Sequence, residues 1–129
     1  MRLLLDTHVA ISVLENRTNT LVPFMQQALA ATGNELHVSV ATLWEIAIKW
    51  RLGKLTILFA LDDLPALVEA MGMRLLTIEA GHVLAGVDPE PATRDPFDRL
   101  LIAQCQVEGM KLLTVDRVLL THPLAWKAR

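Results

Sequence analysis

The chain of 129 residues carries 12 basic and 14 acidic side chains, a net charge of -2, and is 53% hydrophobic and 20% charged. That length suits one compact domain over residues 1–129, and the apolar content excludes intrinsic disorder, which needs low hydrophobicity and high net charge. Apolar runs reach only five residues, as over 57–61, where a membrane-spanning helix needs about 20, and near-neutrality excludes a global positive field for nucleic acid.

Asp6 interrupts the apolar run of Leu3, Leu4 and Leu5, so the start does not read as a signal peptide and the expected location is the cytoplasm. The lone Cys105 cannot form an internal disulfide, which agrees with a reducing compartment. Hydrophobic periodicity then divides the chain into short apolar strands and longer amphipathic helices. A strand over 2–5 ends at Asp6 and a helix over 7–15 follows. The polar turn at 16–19 leads to a helix over 21–31, stopped by Gly33 and Asn34. A strand over 36–38 reaches Ser39, a good N-cap for a helix over 40–52 that Gly53 ends. Further on come a helix over 64–71, a strand over 73–76, and a short helix over 78–85 with Thr77 as its cap. Residues 86–93, broken by Pro89 and Pro91, read as a mobile loop. Asp95 and Pro96 open a helix that runs to Glu108, Gly109 closes it, and 111–114 is the fourth strand.

Strands separated by helices imply a parallel sheet with helices on both faces, a three-layer α/β domain. No internal repeat, low-complexity tract or long linker interrupts it. Ligands of such sheets gather outside the carboxyl ends of the strands. Asp6 follows the first strand and Asp116 the fourth, which places both on one sheet edge. Asp98, in the first turn of the helix feeding the fourth strand, points toward the same edge, whereas the placement of Glu45, two turns into its helix, is less determined by pattern.

Each acid also has a local role open to it. Asp6 can cap the first helix, and Asp95 can cap its own, with Asp98 reaching back in a capping box. Glu45 lies four residues before Lys49, the favourable order for a helical ion pair. Asp116 can be a turn residue. Convergence changes the balance, because two like charges about 4 Å apart repel by about 4 kcal/mol at an effective dielectric of 20. Four ionised carboxylates need a cation or raised pKa values. A hard divalent ion, Mg2+ or Mn2+, suits all-oxygen ligands. Zinc does not, because His8, His37, His82 and His122 lack paired ligand spacing and read as surface or packing residues.

Four stretches together resemble the PIN-domain nucleases, and within them the VapC-type toxins of toxin-antitoxin pairs: Leu3-Leu4-Leu5-Asp6-Thr7-His8, Ser39-Val40-Ala41-Thr42-Leu43-Trp44-Glu45-Ile46, Asp95-Pro96-Phe97-Asp98-Arg99-Leu100-Leu101-Ile102-Ala103, and Leu112-Leu113-Thr114-Val115-Asp116. Each is weak alone, but four in order across nearly the whole chain are specific. The resemblance implies a PIN-like, Rossmann-like α/β/α domain with a central parallel sheet of four or five strands. It implies a Mg2+- or Mn2+-dependent endoribonuclease in which Asp6, Asp98 and Asp116 ligate the metal and Glu45 is a ligand through water or the base. Thr114 falls where the family has a Ser or Thr that supports a ligating carboxylate; Asp95 is an extra acid, best read as a helix cap. It further implies an RNA substrate, a VapB-type antitoxin, a homodimer, and a heterotetramer or larger complex with the antitoxin.

Lys49, Arg51 and Lys54 cluster at one helix end, and Arg94 and Arg99 flank Asp98, so these five are candidates to hold RNA phosphates. A solvated helix end accounts equally well for Lys49 and Arg51. Trp44 and Trp50 lie on different helix faces, so one of them is open to an interface unless both are core. Leu101, Ile102 and Cys105 read as buried.

Two other activities fit less well. A phosphatase of the haloacid dehalogenase type needs a second Asp two residues after the first, where this chain has His8. A receiver-like signalling module needs an acidic pair near the first strand and a lysine after a late one, and neither is in place. A PIN fold serving only as an interaction scaffold is the remaining alternative, although all four acids are present.

Overall fold

The first strand lies deep in the core: Leu3, Leu4 and Leu5 are fully buried, as expected where helices cover both faces of a parallel sheet. A computed structural model describes residues 1–127. Its elements in chain order are β1 (Arg2–Leu5), α1 (Thr7–Leu14), α2 (Pro23–Ala30), β2 (Glu35–Ser39), α3 (Val40–Arg51), α4 (Leu64–Ala70), β3 (Arg74–Leu76), α5 (Ala80–Leu84), α6 (Pro96–Glu108), β4 (Lys111–Leu113) and α7 (Arg117–Leu120). Short 3-10 turns occupy Thr18–Thr20 and Leu61–Asp63.

The four-stranded sheet has the order β3-β2-β1-β4, and all its pairs are parallel. In register, Leu4 faces His37 on one side and Leu112 on the other. Beyond β4, a single parallel bridge joins Leu112 to Ala125, which is all there is of a fifth strand among the described residues. The period of two along β1 separates the cores. Leu3 and Leu5 pack with Val9, Met25, Val38 and Val68, while Leu4 packs with Leu101, Ile102, Cys105 and Leu112 on the opposite face. The three-layer α/β expectation therefore holds. The chain passes from β1 to β2 and β3 in one direction, then returns to place β4 on the other side of β1. The carboxyl ends of β1 and β4 thus flank a switch point, where open parallel sheets leave a crevice.

Local chemistry explains the helix ends near that crevice. α6 starts with Asp95 as N-cap and Pro96 in its first turn, and stops at Gly109, whose φ of 70° belongs to the left-handed region that glycine enters freely. Ser39 caps α3 through the Ala41 amide.

Several expectations are corrected. The N-cap of α5 is Glu79, not Thr77, because Glu79 and His82 form a reciprocal capping box and the Thr77 hydroxyl bonds the Glu79 carboxylate instead. β4 ends at Leu113, so Thr114 turns its hydroxyl out of the ladder, and α7 follows, capped by Asp116. Residues 86–93 are pinned rather than loose. Gln106 bonds the backbone of Gly86 and Asp88, and His122 bonds the Pro89 carbonyl at 2.7 Å. Both tryptophans of α3 lie largely outside the core, Trp44 at 59% and Trp50 at 48% exposure, because the buried face of the helix carries Ala41, Thr42, Glu45 and Ile46 instead. His37, His82 and His122 are buried and hydrogen-bonded, which leaves His8 as the surface histidine. No helix among the described residues is long and apolar enough to cross a membrane.

Candidate active site

Four elements deliver acids to the crevice at the carboxyl ends of β1 and β4. Asp6 follows β1 directly, and the extended backbone of an N-cap turns its side chain back over the helix start, where Oδ1 accepts from the Val9 amide at 2.9 Å. Its other oxygen, Oδ2, accepts from the Thr114 hydroxyl, and Thr114 Oγ1 in turn accepts from the Asp116 amide at 3.0 Å. The two strand ends are thereby tied through one buried hydroxyl. Burial pushes the Asp6 carboxyl above its usual range, against the opposing pull of the hydrogen bonds from Thr114 and Val9.

Glu45 arrives from α3, and the structure settles what pattern left open. It is buried at 4% exposure, with Oε1 accepting from the Thr7 hydroxyl and Oε2 paired with Lys49 Nζ at 2.7 Å. The Thr7 bond joins residues 38 apart and fixes α3 against the start of α1. Trp44, although exposed, packs edge-on against Phe97 with ring centroids 5.5 Å apart, which holds α3 to the first turn of α6.

Asp98 sits in that turn. The expected capping box does not form, because the Asp95 amide donates to the Thr93 hydroxyl at 3.2 Å and Asp95 caps alone, through the Phe97 amide. Asp98 is left free to face the other acids. Burial, followed by the charges of Asp95, Glu45, Asp6 and Asp116, pushes its carboxyl up to about 7, and no hydrogen bond offsets the rise. Asp116 caps α7 through the Val118 amide at 2.9 Å.

One cleft of about 310 Å3 collects Asp6, Thr7, His8, Glu45, Lys49, Asp95, Asp98, Val115 and Asp116. The four acids read from the sequence are thus brought together, and each carries its local role as well, except that Asp98 does not close the capping box. Lys49 is the one member of the basic set that enters the cleft. Its pKa is raised by the Glu45 hydrogen bond first, with Asp95 and Asp98 adding to the effect. Arg51, Lys54 and Arg94 are exposed outside it. Arg99 turns away to pair with Glu90 and the Thr93 carbonyl, lining a separate cavity of about 450 Å3 with His82, Val87 and Leu100. Sequence reasoning missed Thr7 and His8 as cleft residues. Their position straight after Asp6, at the start of a helix on the active edge, is the signal that could have found them.

The carboxylate donors in the cleft are hard oxygens, which suits a hard divalent cation in kind, and the two on Asp98 have no hydrogen bond holding them elsewhere; the His8 imidazole is the one nitrogen donor beside them. Among the described residues no three His, Cys, Asp or Glu side chains close to the spacing of a formed metal cluster. The acids ring the cleft rather than a single point.

A four-stranded parallel sheet flanked by helices, with carboxylates around the cleft at its switch point, defines the class, an α/β PIN-like fold. The chain belongs to the PIN domain family, whose model matches residues 3–122. PIN domains are generally metal-dependent nucleases and typically use divalent metal ions. A comparison with curated proteins gave no match.

Proposed function

We propose that this protein is an endoribonuclease of the VapC type, the toxin of a toxin-antitoxin pair, acting in the cytoplasm to cut RNA and so halt translation and growth. The observation that carries the nuclease reading is the gathering of Asp6, Glu45, Asp98 and Asp116 on one cleft at the sheet edge, where burial and the neighbouring acids push the Asp98 carboxyl up to about 7. Such a group either keeps a proton or takes a cation in its place, and carboxyls perturbed in this way cluster at functional sites. The toxin reading rests on the four ordered motifs, which span nearly the whole chain. An interaction-only role has no comparable support, since every acid of the set stands on the cleft.

Asp6, Asp98 and Asp116 would hold Mg2+ or Mn2+. Glu45, whose oxygens already accept from Thr7 and Lys49, would complete the ring through water. The bound ion supplies a water of lowered pKa and stabilises the charge of an in-line displacement at phosphorus. Thr114 and the Val9 amide orient Asp6, and Thr7 orients Glu45, so the acids are held before substrate arrives. Glu45, the acid of the set not engaged as a direct ligand, is the group placed to take a proton from the attacking water. Attack by water predicts products with a 5'-phosphate and a 3'-hydroxyl. RNA would approach along Lys49, Arg51, Lys54 and Arg94; Arg99, engaged by Glu90, is outside that track. Exposed Trp44, Trp50, Leu52 and Leu58 offer apolar surface to a homodimer and to a VapB-type antitoxin.

The decisive experiment incubates the purified protein with total RNA and Mg2+ or Mn2+, with chelator and Asp98→Asn controls. Cleavage that needs the metal and disappears in the variant is the expected result. Equal activity in both proteins, or a 2',3'-cyclic phosphate at the cut, would overturn the mechanism.

A further inference from the structure

Among the described residues, Lys49 is the one lysine or arginine inside the acidic cleft. Its pairing with Glu45 has the spacing of an ordinary helical ion pair, but the surroundings differ from those of a solvated helix face. The Glu45 side chain is 6% exposed and the Lys49 side chain 46%, and the ammonium shares the cleft with Asp6, Asp95, Asp98 and Asp116. Glu45 Oε1 is already taken by Thr7, and the other oxygen, Oε2, is the one that Lys49 engages. An ammonium at 2.7 Å from that oxygen stands where a divalent ion held by the same acids would draw on the same negative charge.

We propose that Lys49 is the built-in counter-cation of this cleft and competes with the divalent ion for Glu45, so that it sets the metal affinity of the site. The inference rests on the nuclease reading above and adds a regulator to it. The acids are neutralised from within the chain when metal is scarce, and a divalent ion must displace or repel a resident positive charge to bind. A lysine whose ammonium left Glu45 and swung out of the cleft to grip RNA phosphate would have little such effect on metal binding in the absence of RNA.

Calorimetric titration of the RNA-free protein with Mn2+ separates these cases. Lys49→Gln removes the competing charge and is expected to tighten the Mn2+ Kd roughly tenfold, the scale of one positive charge acting on a divalent ion a few ångströms away in a wet cleft. Lys49→Arg keeps the charge and is expected to stay near the wild-type Kd, and so is Arg51→Gln, which removes a charge from the same helix outside the cleft. A Lys49→Gln Kd equal to or weaker than wild type would overturn the proposal. Should that variant not fold, labelled lysine side chains in the wild-type protein give a second reading. Of the four lysines, the Lys49 signal should shift on adding Mn2+-equivalent amounts of diamagnetic Mg2+, while those of Lys54, Lys111 and Lys127 stay; no movement of Lys49 would likewise overturn it. If the wild-type protein binds neither ion, the nuclease reading fails first, and that result is distinguishable from binding that Lys49 does not influence.

Discussion

The Thr114 hydroxyl donates to Asp6 Oδ2 across 108 positions of sequence, and through it the end of β4 is latched to the end of β1. Because Thr114 is fully buried and also accepts the Asp116 amide, one side chain organises two of the four acids.

Removing that latch should separate structure from chemistry. Thr114→Val leaves a buried Asp6 oxygen and the Asp116 amide without their partner and is expected to cost about 1 to 3 kcal/mol in urea denaturation. It should also lower metal-dependent cleavage by roughly 10- to 100-fold. Thr114→Ser keeps the hydroxyl and should recover most of both. A Thr114→Val protein as active and as stable as wild type would show that Asp6 needs no such support.

Asp98 should leave a signature in the pH dependence of stability. Its folded pKa of about 7 lies above the ordinary aspartate value of 3.8, so the native state binds this proton more tightly than the unfolded chain does. The contribution to stability is fully present below about pH 4 and is lost as pH rises through about 7. In metal-free buffer, the stability difference between wild type and Asp98→Asn should therefore shift against wild type across that window. The size will be well below that of a fully buried group, because Asp98 is partly open to screening solvent. A difference that does not vary with pH would contradict the raised pKa.

Charge reversal of Arg51 and Lys54 tests the RNA track. Both are exposed at or just past the end of α3, and replacing both with Glu should raise the KM for RNA and reduce the salt slope of binding by roughly one for each phosphate no longer neutralised. Unchanged cleavage and salt dependence would assign these residues to the favourable electrostatics of the α3 end alone.

The helix cap at Asp95 offers a control on the same segment. Asp95→Ala removes the acceptor of the Phe97 amide and is expected to destabilise by about 1 kcal/mol. It also withdraws one of the charges that raise Asp98, so the Asp98 pKa should fall, measurable by carboxyl NMR titration. A stable Asp95→Ala protein with an unmoved Asp98 pKa would contradict both roles.

Features carried by short windows were legible from residues alone. The run of leucines before Asp6, the Asp95-Pro96 start and Gly109 stop of α6, and Ser39 before α3 each state a strand or helix boundary within a few positions, because capping and burial act locally. The alternation of such windows implied the parallel sheet, and with it one edge for Asp6 and Asp116. Less was legible at positions where two local solutions compete. Asp98 fits a capping box on spacing, and only the neighbouring Thr93 hydroxyl, by taking the Asp95 amide, releases it. Thr77 is as good a cap as Glu79 until His82 answers Glu79 from within the helix.

The cleft itself depends on contacts between residues far apart in the chain. Which face of α3 turns inward decides that Glu45 is buried and both tryptophans are exposed, and that face is chosen by packing against α6, α1 and β2 rather than by any motif. The bonds of Thr7 to Glu45 and of Thr114 to Asp6, and the turning of Arg99 away to Glu90, are of the same kind. Residue order specifies the elements and the acids they carry, since those follow from neighbours along the chain. The partners of each acid, and hence its charge, follow only once the sheet has brought those elements to one edge.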